Sequence, residues 1–302
     1  MRQLKLVGKS KLAWQSKLVL LIVLPFAGAD VVLEAHWWAV QAAPVATWTI
    51  ALSALLGLVT WKLRAANPWG AIAGAAITAC LMFSTVIIPY EPWHTALMPV
   101  LAVAVVAFVC TLLGRAKKER LGTAESRHGR SASQVAANLG VAAIVSSAFL
   151  QSTFIDSQWF AQQNRAPTLI FALGLAALAE AAADTASSEI GQVFGGLPRM
   201  ITSLRKVEPG TDGAISLAGS LAGVVAAALV AAAGTYALRG DRNLFAISCA
   251  GGVFGLLFDS LLGATLEERG WLNNDAVNFL STSSAAGFAL GLLAVLPLYS
   301  KG

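Results

Sequence analysis

The sequence predicts an all-α protein, a polytopic transmembrane helical bundle of about nine membrane helices with its N-terminus in the cytoplasm. Hydrophobic residues make up 57% of the 302 residues and charged residues only 12%, whereas a soluble domain carries about a quarter charged residues. Apolar stretches long enough to cross a bilayer core, about 20 residues each, recur along the chain. Lys and Arg are concentrated in alternate loops, as in proteins that span a membrane several times.

Nine apolar stretches account for the predicted helices. The first is the weakest, because Asp30, Glu34 and His36 lie in its second half. We therefore distinguish residues 1–40, a basic N-terminal segment with this first membrane helix, from residues 41–302, a single membrane-embedded domain of catalytic type. The small residues at 27–29 resemble a signal-peptidase site, but the spans that follow favour a retained helix. The predicted spans are about 17–39, 44–62, 69–90, 94–114, 133–154, 167–190, 213–238, 243–263 and 276–298.

The distribution of basic residues predicts the orientation. If the N-terminus is cytoplasmic and the chain alternates through nine spans, 17 Lys and Arg residues fall on the cytoplasmic side and four on the other. Cytoplasmic loops of membrane proteins carry such an excess. The net charge of +5 is therefore interpreted as a topology signal and not as a sign of a nucleic-acid partner. We expect an integral protein of a bacterial plasma membrane, with loops 63–68, 115–132, 191–212 and 264–275 in the cytoplasm.

Carboxylates end the sixth predicted helix, in the stretch LAEAAADTASSEIG. At 3.6 residues per turn, Glu180, Asp184 and the pair Ser187 and Ser188 share one helix face. An acid inside a membrane span costs about 2.5–3.5 kcal/mol, and two acids one turn apart repel unless a cation or a shared proton lies between them. Oxygen ligands of this kind suit Mg²⁺, usually together with substrate phosphates. The alternative is a set of helix-end carboxylates solvated at the membrane surface.

The following loop, GGLPRMITSLRKVEPGTDG, combines cations with a glycine turn. Arg205 and Lys206 precede Gly210 and Thr211, which open the next predicted helix. Flexible backbone at a helix N-terminus with cations beside it is a site that holds phosphate. The alternative is an ordinary positive-inside loop that contains a turn.

Two further stretches fall on the same predicted side. GRSASQVAANLG places Arg130 and Ser133 at a helix entry and Asn138 one turn inside; its alternative interpretation is a capped helix start with a packing Asn. FDSLLGATLEERGWLNNDAVNF places Asp259 within a span, followed by Asn274 and Asp275. An intramembrane acid is a functional candidate by default. Its alternative is a structural contact between helices, and Asn273, Asn274 and Asp275 have the alternative of capping the last helix.

Several common catalytic motifs are absent from the sequence. The chain has no G-x-x-x-x-G-K-[ST] phosphate loop and no G-x-G-x-x-G fingerprint after a strand. His36, His94 and His128 do not stand at metal-ligand spacing. Catalysis by a Ser–His–Asp triad therefore has no support.

Four motifs together resemble the membrane-protein family called domain of unknown function 92. They are ADTASSEIG, PRMITSLRKVEPGTDGAISLAGSLAG, GRSASQVAANLG and LLFDSLLGATLEERGWLNNDAVNFLST, and the resemblance covers most of residues 60–298. A plant member of that family converts phytyl phosphate to phytyl diphosphate, with CTP as the favoured donor. The resemblance therefore implies a lipid-phosphate kinase activity.

The motif that starts at Asp184 is also similar to the pattern D-x-x-A-S-x-x-G of CTP-dependent polyprenol kinases and, more distantly, of phosphatidate cytidylyltransferases. Ser188 takes the serine position and Gly191 the glycine position. Ser187 departs from the pattern, which has alanine there. The segment from Lys206 to Thr211 is similar to the kinase spacing K-x-x-x-G-T.

The predicted function is that of a membrane-embedded prenyl (phytyl-like) phosphate kinase, which uses CTP or another nucleoside triphosphate with Mg²⁺. We assign catalysis to Asp184, Lys206 and Asp259, and Mg²⁺ binding to Asp184, Asp259 and Asp275. The residues expected to bind substrate or nucleotide phosphates are Arg130, Ser133, Asn138, Ser187, Ser188, Arg205, Gly210, Thr211 and Asn274. The expected partners are the lipid bilayer, an isoprenoid monophosphate and the nucleotide. Cytidylyl transfer to a lipid phosphate, ion-coupled transport and a non-catalytic scaffold stay open as alternatives, as does the oligomeric state.

Overall fold

The computed structural model describes residues 12–155 and 171–295 and consists mainly of helices. Most of the basic N-terminal segment, the start of the span predicted at 167–190 and the end of the last span lie outside the described residues. The helices are α1 (Ala13–Gln41), α2 (Ala43–Lys62), α3 (Pro68–Phe83), α4 (Leu97–Leu112), α5 (Arg115–Leu121), α6 (Ala132–Ser146), α7 (Ala148–Ile155), α8 (Phe171–Phe194), α9 (Leu217–Ala237), α10 (Arg242–Leu262) and α11 (Asn274–Val295). A 3₁₀ turn covers Pro92–His94, and a π-helical turn, Gly263–Glu267, extends α10.

A small β-hairpin interrupts the helical fold in a segment where the sequence shows no strand pattern. Strands β1 (Arg199–Met200) and β2 (Ala214–Ile215) pair antiparallel. Strands of two residues are too short to show the alternating pattern that predicts a strand from sequence. The hairpin folds the loop after α8 back onto the end of the bundle.

Within the described part of the chain, five helices are long and apolar enough to cross a membrane: α1, α2, α9, α10 with its π-helical extension, and α11. A sixth is present if α4 and α5, bent by 66° at their junction, form one broken span. Helices α3 and α6 are apolar but have only 16 and 15 residues. Each of the nine predicted spans overlaps a helix, although a break at Ser147 divides the fifth into α6 and α7. Nine membrane crossings therefore stay a prediction.

Helix α8 lies at the centre of the bundle and packs against α4, α6, α9, α10 and α11. Its residues from Ala172 to Ala183 are all buried. Glycines on its neighbours permit this close approach, as expected for small residues between membrane helices. A Cβ added to Gly252 of α10 would lie 2.7 Å from the Ala179 Cβ, and one added to Gly223 of α9 would lie 3.0 Å from the Ala183 carbonyl oxygen.

The four loops predicted to be cytoplasmic meet at one end of the bundle, together with the start of α1. The contacts that join them are Arg130 N to Ala65 O at 3.0 Å, Lys117 Nζ to Val193 O at 2.5 Å, Ala264 against Gly213, and Asn273 Nδ2 to Leu12 O at 2.8 Å. At the opposite end, Arg239 Nη2 donates to Glu91 Oε2 at 3.2 Å. The loops are thus grouped as predicted, while the side of the membrane on which each group lies stays a prediction.

Candidate functional site

A polar cavity of about 290 Å³ lies at the end of the bundle where these loops meet. Helices α6, α8 and α10, the loop before β2 and the start of α11 form its wall. Nine of the predicted site residues line it: Arg130, Asn138, Asp184, Ser187, Ser188, Gly210, Thr211, Asp259 and Asn274. Four motifs that are far apart in the sequence therefore contribute to one cavity.

Two carboxyl groups lie next to each other in this wall. Asp184 of α8 and Asp259 of α10 both line the cavity, and their side chains are close enough to interact. The Asp259 Oδ2 atom is buried and has no hydrogen-bond partner among the described residues. A buried oxygen without a partner costs free energy, so Asp259 has an unused hydrogen-bond acceptor next to the cavity.

The acid pair is compatible with Mg²⁺ bound together with a phosphate. Among residues 12–155 and 171–295, no group of three or more His, Cys, Asp or Glu side chains could hold a metal ion. Mg²⁺ commonly takes only one or two carboxylates from the protein and completes its octahedron with water and substrate phosphates. The two hard oxygen ligands of Asp184 and Asp259 fit that donor set.

Asp275 does not join this pair. It is buried in the first turn of α11 and is not part of the cavity wall, whereas its neighbour Asn274 is. Consecutive residues of a helix project about 100° apart, which separates these two side chains. The structure therefore places Asp275 apart from the acid pair, and Mg²⁺ binding by the predicted carboxylates stays a prediction.

Glu180 lies one helical turn from Asp184, deeper in the bundle. Its side chain is 1% exposed and is not part of the cavity wall. Neither carboxyl oxygen has a hydrogen-bond partner among the described residues. Gly255 of α10 makes room for it, since a Cβ there would lie 2.5 Å from the Glu180 Cγ.

Hydrogen bonds from the backbone and from the side chain fix the position of Arg130. Its backbone N–H donates to the Ala65 carbonyl at 3.0 Å, and its carbonyl accepts from Asn67 N at 3.0 Å. Its guanidinium donates to Thr185 Oγ1 at 3.3 Å, next to Asp184. A Cβ on Gly70 would clash with the Arg130 carbonyl, so glycine is needed there. The positive charge of Arg130 is thus fixed beside the acid pair.

The start of α6 is a capped helix start and also contributes to the cavity wall, so both interpretations of this motif apply. Ser131 and Gln134 form a capping box. Ser133 Oγ lies 3.0 Å from Ser131 Oγ at the cap and is not part of the cavity wall, so the structure places Ser133 beside the cap, and its phosphate contact stays a prediction. Asn138 donates to Gln134 O at 2.7 Å and accepts from Asn278 Nδ2 at 3.3 Å, which orients it toward the cavity.

The glycine turn brings its backbone to the cavity wall. Gly210 and Gly213 have φ of 86° and 75°, a region in which glycine is favoured. A Cβ on Gly210 would lie 2.5 Å from Thr123 Cγ2, and one on Gly213 would clash with the backbone of Ala264 in the π-helical turn. Single π-helical turns occur frequently at functional sites. The turn is therefore fixed between two other loops of the site.

Arg205 and Lys206 are exposed, and neither lines the cavity. Backbone pairing at the base of the hairpin causes this, because Met200 N donates to Arg205 O at 2.9 Å and Lys206 bridges to Arg199. The structure therefore separates both predicted phosphate-binding cations from the acid pair.

A buried ion pair next to the cavity was not predicted. Lys118 of α5 has a side chain that is 1% exposed, and its Nζ donates to Glu189 Oε2 at 2.5 Å. The same Nζ donates to the carbonyls of Cys110 and Thr111 at 3.0 and 2.7 Å, at the end of α4. In the sequence, Lys118 is one of several basic residues in a loop. A lysine shortly after a helix end, where it can bind the last carbonyls, is the signal that could have identified it.

An apolar cavity of about 410 Å³ adjoins the polar one. Helices α2, α3, α4 and α6 line it, and it shares Glu125, Arg130 and Asn138 with the polar cavity. Three further arginines, Arg64, Arg115 and Arg127, also contribute to its wall.

Glu119 forms ion pairs with two of these arginines. Its carboxylate accepts hydrogen bonds from Arg127 at 3.1 Å and from Arg115 at 3.3 Å. These bonds lower the pKa of Glu119 below its usual value, so the group stays charged. The combined cavities offer an apolar space, cations at the junction and an acid pair beyond them, which suits an anionic amphiphile.

Long apolar helices packed around a buried polar cavity define the class of this molecule as a helical integral membrane protein. Residues 51–286 match the family model described as "Integral membrane protein DUF92". The chain therefore belongs to this family, as the four motifs predicted.

Three relatives show how the similarity is distributed. An uncharacterized membrane protein of Methanocaldococcus jannaschii is 44% identical over 119 residues, 39% of this chain and 49% of the relative. One of Synechocystis sp. is 31% identical over 261 residues, 82% of this chain and 89% of the relative. Protein VTE6, chloroplastic, of Arabidopsis thaliana is 31% identical over 188 residues, 61% of this chain and 54% of the relative. The chain thus spans about half the length of the first and third. No solved structure matches the chain.

Proposed function

We propose that the chain is a membrane-embedded isoprenoid phosphate kinase that uses CTP or another nucleoside triphosphate with Mg²⁺. One observation carries the proposal: Arg130 and Asn138 belong to the walls of both the polar and the apolar cavity. A lipid monophosphate with its head at these two residues has its tail on the apolar side and its phosphate beside Asp184 and Asp259. The resemblance of the Asp184 motif to polyprenol kinases supports the same chemistry.

Each part of the polar cavity has a role in this proposal. Asp184 and Asp259 would hold Mg²⁺, which when bound neutralises charge on the phosphate oxygens of the nucleotide. Arg130 binds and orients the acceptor phosphate with help from the Asn138 amide. The backbone around Gly210 and Thr211 follows the nucleotide phosphates, with the hydroxyls of Ser187 and Ser188 on the α8 side.

The reaction is a phosphoryl transfer between two anions. An oxygen of the acceptor monophosphate attacks the γ-phosphorus of the nucleotide, the bond from that phosphorus to the β–γ bridging oxygen breaks, and the nucleoside diphosphate leaves. The new P–O–P bond makes the lipid diphosphate. Since the attacking oxygen is already ionised, no general base is needed, and positioning with charge stabilisation provides the rate.

The proposed topology places this chemistry in the cytoplasm. We propose nine membrane spans, a cytoplasmic N-terminus and a membrane-embedded domain over residues 41–302. The excess of Lys and Arg at the cavity end supports this orientation, and a cytoplasmic cavity has direct access to nucleoside triphosphates.

The kinase proposal is tested with purified protein in detergent, labelled CTP or ATP, Mg²⁺ and geranylgeranyl or phytyl phosphate. We expect lipid diphosphate as product and a loss of about a hundredfold or more in Asp184→Asn, because an amide would hold the Mg²⁺ that stabilises charge on the reacting phosphates much more weakly. The matched control is Glu208→Gln, an exposed acid that is not in the cavity wall. Formation of CDP-lipid and pyrophosphate would replace the proposal with cytidylyl transfer, and ion flux in liposomes without any turnover would replace it with transport.

A further inference from the structure

The apolar cavity extends from the polar site toward the middle of the bundle. Its wall on α3 runs from Gly70, beside Arg130, to Thr78, which at 1.5 Å per residue is a depth of roughly 12 Å. The hydrocarbon core of a bilayer is about 30 Å thick. The cavity is therefore deep enough for part of a lipid chain.

An opening in the cavity wall is inferred between α2 and α4, because these two helices have little direct packing with each other. Both helices line it, yet α2 packs mainly on α1 and α3, whereas α4 packs mainly on α8 and α9. Leu63 at the end of α2 and Leu112 at the end of α4 are exposed apolar side chains at this opening. Inside the hydrocarbon region such a gap between helices is filled by lipid, because water does not enter it.

We propose, on the basis of the kinase function above, that this cavity holds a single isoprenoid chain of the acceptor, which enters between α2 and α4, and that Gly74 determines how much chain fits. The arginines at the cavity mouth complement one phosphate head. A volume of about 410 Å³ lies near the lower end of the range for small-ligand pockets, about 300–1,000 Å³. That size suits one chain rather than the two acyl chains of a phospholipid.

Gly74 is the glycine of this wall where a side chain can be added without moving the backbone. A Cβ there has only Val135 Cγ1 within 4 Å, at 3.7 Å, and both residues line the cavity. At Gly57, in contrast, a Cβ would lie 2.9 Å from the Ala71 carbonyl oxygen. A larger side chain at Gly74 therefore fills cavity space and leaves the helix packing in place.

Shape, and not hydrophobicity, decides which chain binds. The tail leaves an apolar bilayer to enter an apolar cavity, so burial by itself gives no preference. Forcing extra groups into a filled apolar site costs about 1–3 kcal/mol, and a chain that fits gains full contact with the wall. Shortening the cavity at Gly74 should therefore penalise long chains and spare short ones.

The test compares Gly74→Leu with Gly287→Leu, a matched control on α11 where an added Cβ meets nothing within 4 Å and which lines neither cavity. Binding of dimethylallyl, geranyl and geranylgeranyl monophosphate is measured by native mass spectrometry, without nucleotide or turnover. We expect Gly74→Leu to raise the Kd for the geranylgeranyl ligand about tenfold and that for the dimethylallyl ligand less than about twofold. Gly287→Leu should leave both Kd values unchanged.

Three outcomes would overturn this inference in distinguishable ways. If wild-type protein binds the prenyl monophosphates and Gly74→Leu weakens all chain lengths equally or none, the tail lies elsewhere and the kinase proposal stands. If phosphatidic acid competes equally well and is equally sensitive to Gly74→Leu, the cavity takes two-chain lipids. If wild-type protein binds no prenyl monophosphate but binds CTP in a separate measurement by the same method, the acceptor in the proposed function is itself wrong.

Discussion

At the scale of single residues, the structure separates two cations that the sequence treats alike. Arg130 lies beside Asp184 at the junction of both cavities, while Lys206 is exposed at the base of the hairpin. We expect Arg130→Gln to lower kcat/KM about a hundredfold, mainly through a higher KM for the lipid phosphate, because it removes a charged contact to the acceptor. Lys206→Gln should change kcat/KM less than about twofold. Steady-state kinetics with varied acceptor measure both.

Arg130→Lys tests whether a positive charge alone is sufficient at this position. Lysine keeps the charge but lacks the planar fork that binds a phosphate through two hydrogen bonds, so we expect it to recover only part of the lost activity. Equal losses in Lys206→Gln and Arg130→Gln would contradict the arrangement of the site, because they would require the hairpin loop to reach the phosphates.

The two acids of the pair could be predicted from the sequence, whereas the other residues of the cavity wall could be predicted only in part. Asp184 and Asp259 stand out because charged residues within apolar spans are expensive and therefore functional candidates. Asp275 and Ser133 were assigned with them because sequence distance cannot tell which of two neighbouring residues at a helix start points into a cavity. The direction of each side chain depends on where its helix is capped. The position of the cap depends in turn on contacts with distant segments, such as the contact between Asn273 and the start of α1.

At the scale of elements, the ion pair between Lys118 and Glu189 fastens α5 to α8 and to the end of α4. We expect Lys118→Met to destabilise the protein by about 3–5 kcal/mol, since it leaves the Glu189 carboxylate buried without its partner. Thermal unfolding of the purified protein in detergent should show a lower Tm. Arg127→Gln is the control, because the pair of Arg127 with Glu119 is exposed to solvent and its loss should change the Tm little.

A double variant measures the interaction free energy between Lys118 and Glu189. Lys118→Met combined with Glu189→Leu removes both charges, so we expect it to be more stable than Lys118→Met alone. Additive losses would show that the two side chains act independently and that α5 is held by other contacts.

The elements themselves were largely predictable, because long apolar runs define helices whatever they pack against. Three features were not. The two-residue strands have no sequence pattern, the break at Ser147 lies within one continuous apolar run, and α5 lies in a segment that the charge pattern marks only as a basic loop. Each depends on tertiary contacts that a single sequence does not specify.

At the scale of the whole molecule, the orientation of the bundle decides whether the polar cavity reaches nucleotides. Single cysteines at His128, exposed at the cavity end, and at Arg242, exposed at the opposite end, report on it after Cys80, Cys110 and Cys249 have been replaced. Because the basic loops gather at the cavity end, we expect a membrane-impermeant maleimide to label Arg242→Cys in intact cells and His128→Cys only after permeabilisation. The reverse pattern would place the acid pair outside the cell, away from nucleoside triphosphates, and would contradict a kinase fed from the cytoplasm even if the cavity binds lipid phosphates.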